Sequence, residues 1–256
     1  MKIITFLLSY VFVTTTAYCL PRLTFSMIMK NEANRKLREC LEEIKSYTQK
    51  IDLRIVIIDD ASTDNSVQTC YEVFKDSDIP LTIIKNTSSR FSNEIELRQQ
   101  QWQAAIDTNP EWILTLDADE IFEEKMREEI YNLTNQNVID IWCFRLYDFW
   151  DENHYRSDNL WCAHTNYRAF LIRYRPEFNY RWHETAQHCG RFPKNIYELP
   201  YSFSNIRLKH YGWAKKEERE EKYKRYMKLD PTGKHGSLAQ YESILDQNPN
   251  LIPWVE

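Results

Sequence analysis

Between residues 23 and 122 the chain alternates short apolar runs with stretches whose apolar residues recur every three or four positions, and this alternation restricts the fold more than any other feature. Residues 23–29, 53–58, 81–84 and 112–116 are short, apolar and rich in β-branched side chains, as buried strands are. Between them, Leu37, Cys40, Leu41 and Ile44 make one helical stripe, and Val67, Cys70, Tyr71 and Phe74 make a second. A third helix, over residues 94–106, carries Ile95, Trp102, Ala105 and Ile106 inward. Strands separated by helices demand right-handed crossovers, so the expectation is α/β: parallel βαβ units in a mainly parallel sheet flanked by helices.

The second and fourth runs both stop on acid, at Asp59-Asp60 and at Asp117-Ala118-Asp119-Glu120. Parallel strands present their carboxyl ends at one edge, which is where open α/β sheets bind ligands. Repelling carboxylates are costly to gather there unless a cation or hydrogen-bond donors compensate them. Asp117 and Asp119, two positions apart, suit a shared hard cation, Mg²⁺ or Mn²⁺, of the kind that keeps coordination positions open for substrate phosphates. An Asp-x-Asp taken alone describes a solvated turn equally well; the second acidic strand end on the same edge is what favours a site. Arg98, three residues after Ile95 on the inward side of its helix, needs an anion, either a ligand or an ion pair with Glu94 or another nearby acid.

Composition removes several alternatives. With only four glycines there is no G-x-x-x-x-G-K-[ST] and no G-x-G-x-x-G, so any phosphate must be held by a metal and side chains. A net charge of −5 provides no basic field for nucleic acid. The six cysteines are widely spaced without a C-x-x-C, which argues against zinc and for buried thiols. Residues 1–22 are signal-like or membrane-anchoring: Lys2 precedes an apolar run, and Thr15-Thr16-Ala17 offers small residues at a cleavage position. They imply membrane association or the secretory pathway, with a cytoplasmic enzyme as the alternative. The second half is less regular. Strands are expected at residues 139–144 and 167–173, separated by an aromatic and polar region. The Lys-, Arg- and Glu-rich helix at 215–229 reads as a solvated face, and residues 231–256 as a loose tail.

Four ordered segments carry a resemblance: Met27-Ile28-Met29-Lys30-Asn31-Glu32; Ile55 through Ser66 with Asp59-Asp60-Ala61-Ser62; Phe91-Ser92 with Arg98; and Trp112 through Glu120. Over residues 23–122 the chain resembles a family 2 glycosyltransferase of the GT-A fold, a Rossmann-like, nucleotide-sugar-dependent type. Further on, Arg168, Phe170 and Arg173, then His183-Glu184, then His210-Tyr211-Gly212-Trp213 before a charged helix, are similar in order to a subset of bacterial-type members. The resemblance implies a glycosyltransferase domain over residues 23–230, with a nucleotide-sugar-binding half at 23–122 and a C-terminal acceptor-side region at 123–230. It assigns Asp60, with Asp59, Asn31 and Glu32, to the nucleotide sugar, Arg98 to the diphosphate, and Asp117 and Asp119 to a metal-diphosphate, the metal being Mn²⁺ or Mg²⁺. The family often has glycine where this chain has Ala61.

The implied reaction displaces a nucleoside diphosphate from the anomeric carbon and inverts it. The acceptor hydroxyl, on a glycan, a lipid-linked sugar or a protein, needs a base, for which a carboxylate is simplest. Glu184 matches the His-Glu pair; Glu120, Asp148 and Asp158 are rivals. His183 orients Glu184, contacts acceptor or merely packs, and His210 is either a third metal ligand or a hydrogen-bonded structural histidine. Two other functions fit less well. A nucleotidyltransferase would need a glycine-rich basic loop that residues 30–36 lack, and a non-catalytic nucleotide- or glycan-binding protein would not need both the Asp pair and a base.

Overall fold

A computed structural model describes residues 19–186, 189–234 and 236–256. The signal-like segment expected over residues 1–22 lies, as far as residue 18, outside the described residues. The first half follows the expected alternation: β1 (Arg22–Met29), α1 (Leu37–Lys45), β2 (Asp52–Asp59), α2 (Ser66–Phe74), β3 (Leu81–Lys85), α3 (Glu94–Ile106) and β4 (Trp112–Thr115). The chain continues through β5 (Glu120–Phe122), α4 (Lys125–Thr134), β6 (Ile141–Asp148), β7 (His154–Arg156), β8 (Tyr167–Arg173), β9 (Tyr201–His210), α5 (Lys216–Leu229), α6 (Leu238–Ser243) and β10 (Leu251–Pro253).

Eight strands form one sheet in the order β3-β2-β1-β4-β8-β6-β9-β5. The β3–β2, β2–β1 and β1–β4 pairings are parallel, so the acid-tipped ends of β2 and β4 share an edge on either side of β1. Beyond β4 the sheet is mixed: β8 runs antiparallel to both β4 and β6, β6 is parallel to β9, and β9 is antiparallel to β5.

Strand periodicity decides which side chains meet which layer. Leu23, Phe25, Met27 and Met29 of β1 and Trp112, Leu114 and Leu116 around β4 face α1, α2 and α4, in a core that includes Leu37, Leu41, Cys70 and Ile130. On the opposite face, Ile113, Ile141 and Ile172 pack under Trp102 and Ala105 of α3 and under Phe192 and Ile196. Thr24, on that second face, is buried but shares a 2.6 Å hydrogen bond with Thr108.

Two expectations are corrected. The tail is structured: β10 pairs antiparallel with β7, Ile244 joins Trp150, Trp161 and Trp213 in a separate cluster, and the buried Arg156 donates to the Ser243 carbonyl at 2.6 Å. Its apolar residues are too few to show a period, and pairing with β7, the Arg156 contacts and packing against distant tryptophans order them. The helix at 216–229 is also more than a solvated face, because its inner edge reaches the site described below. Among the described residues, no helix is long and apolar enough to cross a membrane.

Candidate functional site

The turns after β1 and β2 are tied together. Asn31 N–H donates to Ser62 Oγ at 3.0 Å, Thr63 N–H to Asn31 Oδ1 at 2.8 Å, and Ala33 N–H to Asp64 Oδ2 at 3.0 Å. Asn31 and Ala61 both have positive φ, 55° and 60°. Asn tolerates that conformation, whereas Ala61 carries a Cβ penalty of about 1–2 kcal/mol that glycine would avoid. The positions just before these turns, Asp59 and Asp60, thereby become fixed points.

Asp60 is buried and accepts from Ser89 Oγ at 2.6 Å, Arg90 N–H at 2.8 Å and Asn86 Nδ2 at 3.3 Å. Burial pushes its carboxyl up, but these hydrogen bonds outweigh that and hold it below the ordinary value. Asp60 thus braces the loop between β3 and α3. Asp59 accepts from Ser62 N–H at 3.3 Å and does not line the cavity.

That cavity, of about 570 Å³, lies at the carboxyl ends of β1, β2 and β4. It is lined by Asn31, Glu32, Asp60, Arg98, Asp117 and Asp119, and also by His210 from the far end of the sheet. Seven of the residues singled out in the sequence therefore meet in one place. A larger hollow of about 710 Å³ between α5 and residues 244–251 contains none of them.

The acids in the cavity are held by specific partners. Arg98 lies 3.6 Å from Asp117 Oδ1 and 3.4 Å from Glu94, so both the ligand-facing and the ion-pairing expectations describe it. Arg191, which the sequence analysis missed, donates to both Glu120 oxygens at 2.7 and 2.8 Å, to Asp117 Oδ2 at 3.2 Å and to the Thr115 carbonyl at 3.0 Å. The surrounding protein pushes Asp117 up, yet Arg191 and then Arg98 outweigh it and keep the carboxyl below its usual range. Glu120 is buried and spent on Arg191 and on the Asp117 N–H at 2.7 Å, which removes it as a rival base.

His210 is fixed from behind. Its Nδ1 lies 2.7 Å from Asp148 Oδ1, leaving Nε2 facing Asp119 Oδ2 at 3.7 Å. Burial pulls its pKa down, but Asp119 and Asp148 outweigh that and hold it at about 9. Asp148 is therefore an orienting group for His210 rather than a base. Asp158 is likewise committed, to Arg156 at 2.6 Å and to the Leu160 and Trp161 amides.

His210 Nε2 and Asp119 Oδ2 are two donors of the kind a divalent cation accepts, with Asp117 lining the same cavity. The point where a Cβ on Gly212 would lie is 2.6 Å from His210 Nε2 and 2.7 Å from Asp119 Oδ2, so only the missing side chain leaves that point open. Among the described residues no three His, Cys, Asp or Glu side chains gather at metal-binding distance. Lys222 Nζ is 2.8 Å from the same point and donates to the Gly212 carbonyl; burial lowers its pKa. Lys222, Arg225 and Leu229 of α5 all line the cavity, and Glu218 of the same helix lies 3.5 Å from Arg35, which lines it too. The i, i+4, i+7, i+11 spacing from Glu218 was visible in the sequence, but uniform charge along the helix concealed it.

Glu184 and His183 lie outside this cavity, on an exposed loop. The loop touches the cavity wall through Glu94, whose N–H donates to the Ala186 carbonyl at 2.7 Å. On its other side His183 lines a second cavity, of about 390 Å³, which Arg191 also lines.

A family model described as glycosyl transferase family 2 matches residues 24–198. By sequence, no curated protein matches the chain. Among solved structures, a crystal structure of S. aureus TarS 1-349 superposes with a TM-score of 0.52 at 13% identity, covering 88% of this chain and 69% of that one. The same fragment in complex with UDP matches at 0.43 and 13% identity, over 59% of this chain and 46% of its own length. The mannosyltransferase PcManGT from Pyrobaculum calidifontis, in complex with GDP-Man and Mn²⁺, matches at 0.48 and 14% identity, covering 91% of this chain and 67% of that one.

Proposed function

The chain belongs to glycosyl transferase family 2 and is a glycosyltransferase, and from that premise we propose that it is an inverting enzyme that draws its sugar from a nucleoside diphosphate bound at the carboxyl ends of β1, β2 and β4. The observation that carries this reading is the meeting of Asp60, Arg98, Asp117, Asp119 and His210 in one cavity. The nucleoside lies toward Asp60 and the loop it braces. The diphosphate lies toward Arg98, Lys222 and Arg225, whose positive charge faces oxygens that become more negative as the sugar departs. Asp119 and His210 would hold Mn²⁺ or Mg²⁺, with Asp117 beside them, and such an ion when bound stabilises the leaving diphosphate as a Lewis acid. Arg191 keeps Asp117 anionic and in place, and Asp148 keeps His210 Nε2 turned inward.

Glu184 takes the proton of the attacking acceptor hydroxyl on its carboxylate. Supporting this, its loop adjoins the donor cavity through Glu94 and the neighbouring cavity through His183, whereas Glu120, Asp148 and Asp158 are each committed to other partners. A single base with direct displacement inverts the anomeric centre. The acceptor side is drawn from within residues 123–230, a stretch that also lends Arg191, His210, Lys222 and Arg225 to the donor side, so the expected division at residue 122 does not hold.

Thermal melting with a panel of UDP- and GDP-sugars in Mn²⁺ tests the donor half, since a ligand of the native state raises the melting point. Asp119→Ala should abolish metal-dependent nucleotide binding and turnover together. Glu184→Gln should lower turnover about 10²–10⁴-fold with nucleotide affinity nearly intact. Equal loss of nucleotide binding in the two variants rejects this division of roles.

A further inference from the structure

The cavity beside the donor site has a one-sided chemistry. Its walls include Arg168, His183, Arg191 and Lys194 together with Phe170 and Tyr197, and no described carboxylate lines it. It lies on the reaction edge: in the antiparallel β4–β8 register Leu114 faces Leu171, so Arg168, three residues before Leu171, falls level with Asp117, three after Leu114. Arg191, hydrogen-bonded to Asp117, forms part of the wall between the two cavities.

From Tyr197 a row of exposed rings leads outward. Tyr197, Tyr201 and Phe203 are 49%, 50% and 57% exposed, and as a contiguous row they form the kind of apolar patch that marks a binding surface. Ring centroids are 5.7 Å apart for Tyr197–Tyr201, 5.9 Å for Tyr201–Phe203 and 4.5 Å for Phe203–Tyr167. Tyr167 is on β8, Tyr201 and Phe203 are on β9, and Tyr197 is in the short helical turn Ile196–Glu198 before β9, where its hydroxyl accepts from the Ala169 N–H at 3.3 Å. The Arg145 guanidinium lies 5.6 Å from the Tyr167 ring centre. Flat aromatic faces suit the apolar faces of sugar rings, and Arg168 and Lys194, with no carboxylate among the described residues lining the cavity, suit a doubly charged phosphate.

We propose that this cavity and aromatic shelf form the acceptor subsite, and that the acceptor is a phosphate-bearing saccharide, its phosphate against Arg168 and Lys194 and its sugar rings along Tyr197, Tyr201 and Phe203. The assignment rests on the transferase reading only for which hydroxyl is attacked; the binding chemistry stands apart from it. Acceptor is the occupant assigned because Arg191 of this cavity is hydrogen-bonded to Asp117 of the donor cavity.

Calorimetry on the full chain with trehalose, trehalose 6-phosphate and a glucuronate-containing disaccharide tests this directly. Trehalose 6-phosphate should bind at least about tenfold more tightly than trehalose, and R168Q/K194Q should erase that difference. Y201A/F203A should weaken both sugars about three- to tenfold. All four positions are exposed, and circular dichroism checks folding; if a double variant unfolds, the single variants carry the test. Equal binding of trehalose and its phosphate, binding of the glucuronate as tight as the phosphate, or no effect of R168Q/K194Q overturns the proposal. UDP and GDP binding with Mn²⁺, measured alongside, separates the two readings: lost nucleotide binding with retained phosphosaccharide binding condemns the donor site alone.

Discussion

Replacing Gly212 by alanine tests the geometry of the donor site most sharply. The added methyl would lie 2.6 Å from His210 Nε2, 2.7 Å from Asp119 Oδ2 and 2.8 Å from Lys222 Nζ, against the 3.4 Å at which ordinary contact begins. Each polar atom would need to retreat by about 0.6–0.8 Å, while metal–ligand distances tolerate only about 0.2 Å. Lys222 has a flexible stem and can yield. His210 cannot yield freely, because Asp148 holds its Nδ1 at 2.7 Å, and Asp119 is tied by its carbonyl to the Tyr211 N–H at 2.8 Å. Perturbing a ligand's support typically costs about 10–100-fold in metal affinity, and a wedge between two ligands should cost at least that. Gly212 has no positive φ to lose, so the fold should remain intact. Calorimetric titration of UDP or GDP with and without Mn²⁺ should show wild-type metal-free binding and a metal-dependent increment reduced at least about tenfold in Gly212→Ala. An unchanged increment, with the variant folded, would refute the placement of the ion between Asp119 and His210.

Arg191→Met should destabilise the protein by about 3–5 kcal/mol in denaturant unfolding, because it strands the buried Glu120 beside Asp117; Arg191→Met with Glu120→Gln should recover part of that, and failure to recover it would mean the loss is one of packing on Phe170. Ala61→Gly should stabilise by about 1 kcal/mol by relieving the left-handed backbone at φ 60°, and a measured loss would place the strain elsewhere. Burial raises Glu32 to about 7, so between its unfolded value near 4.5 and about 7 the folded state binds more protons than the unfolded one. Stability of the metal-free protein should therefore fall as pH rises through that window, by on the order of 1–3 kcal/mol, and Glu32→Gln should flatten the profile in urea titrations at successive pH values.

How much of this was legible beforehand follows from the range of the interactions involved. The parallel half of the sheet announced itself because strand and helix periods are local, and β1, β2, α3 and β4 lie within a residue or two of their expected positions. The acids at the ends of β2 and β4 were equally visible, since a strand's direction decides where its last residue points and parallel pairing puts both ends on one edge.

Tertiary structure alone decided the partners of those acids. Arg191 sits on an irregular segment without period, and nothing near it in the chain signals that its guanidinium closes on residues more than seventy positions earlier. Lys222 and Arg225 are indistinguishable by composition from their solvated neighbours on α5 until the helix is docked. The order of β8, β6, β9 and β5, which brings His210 to Asp119 and Arg168 level with Asp117, depends on long-range pairing that no local pattern encodes. Residue types and their spacing determined that charge would be delivered to one edge of a sheet; which oppositely charged groups would answer it was settled by packing between segments distant in sequence, where each contact forms only because the others do.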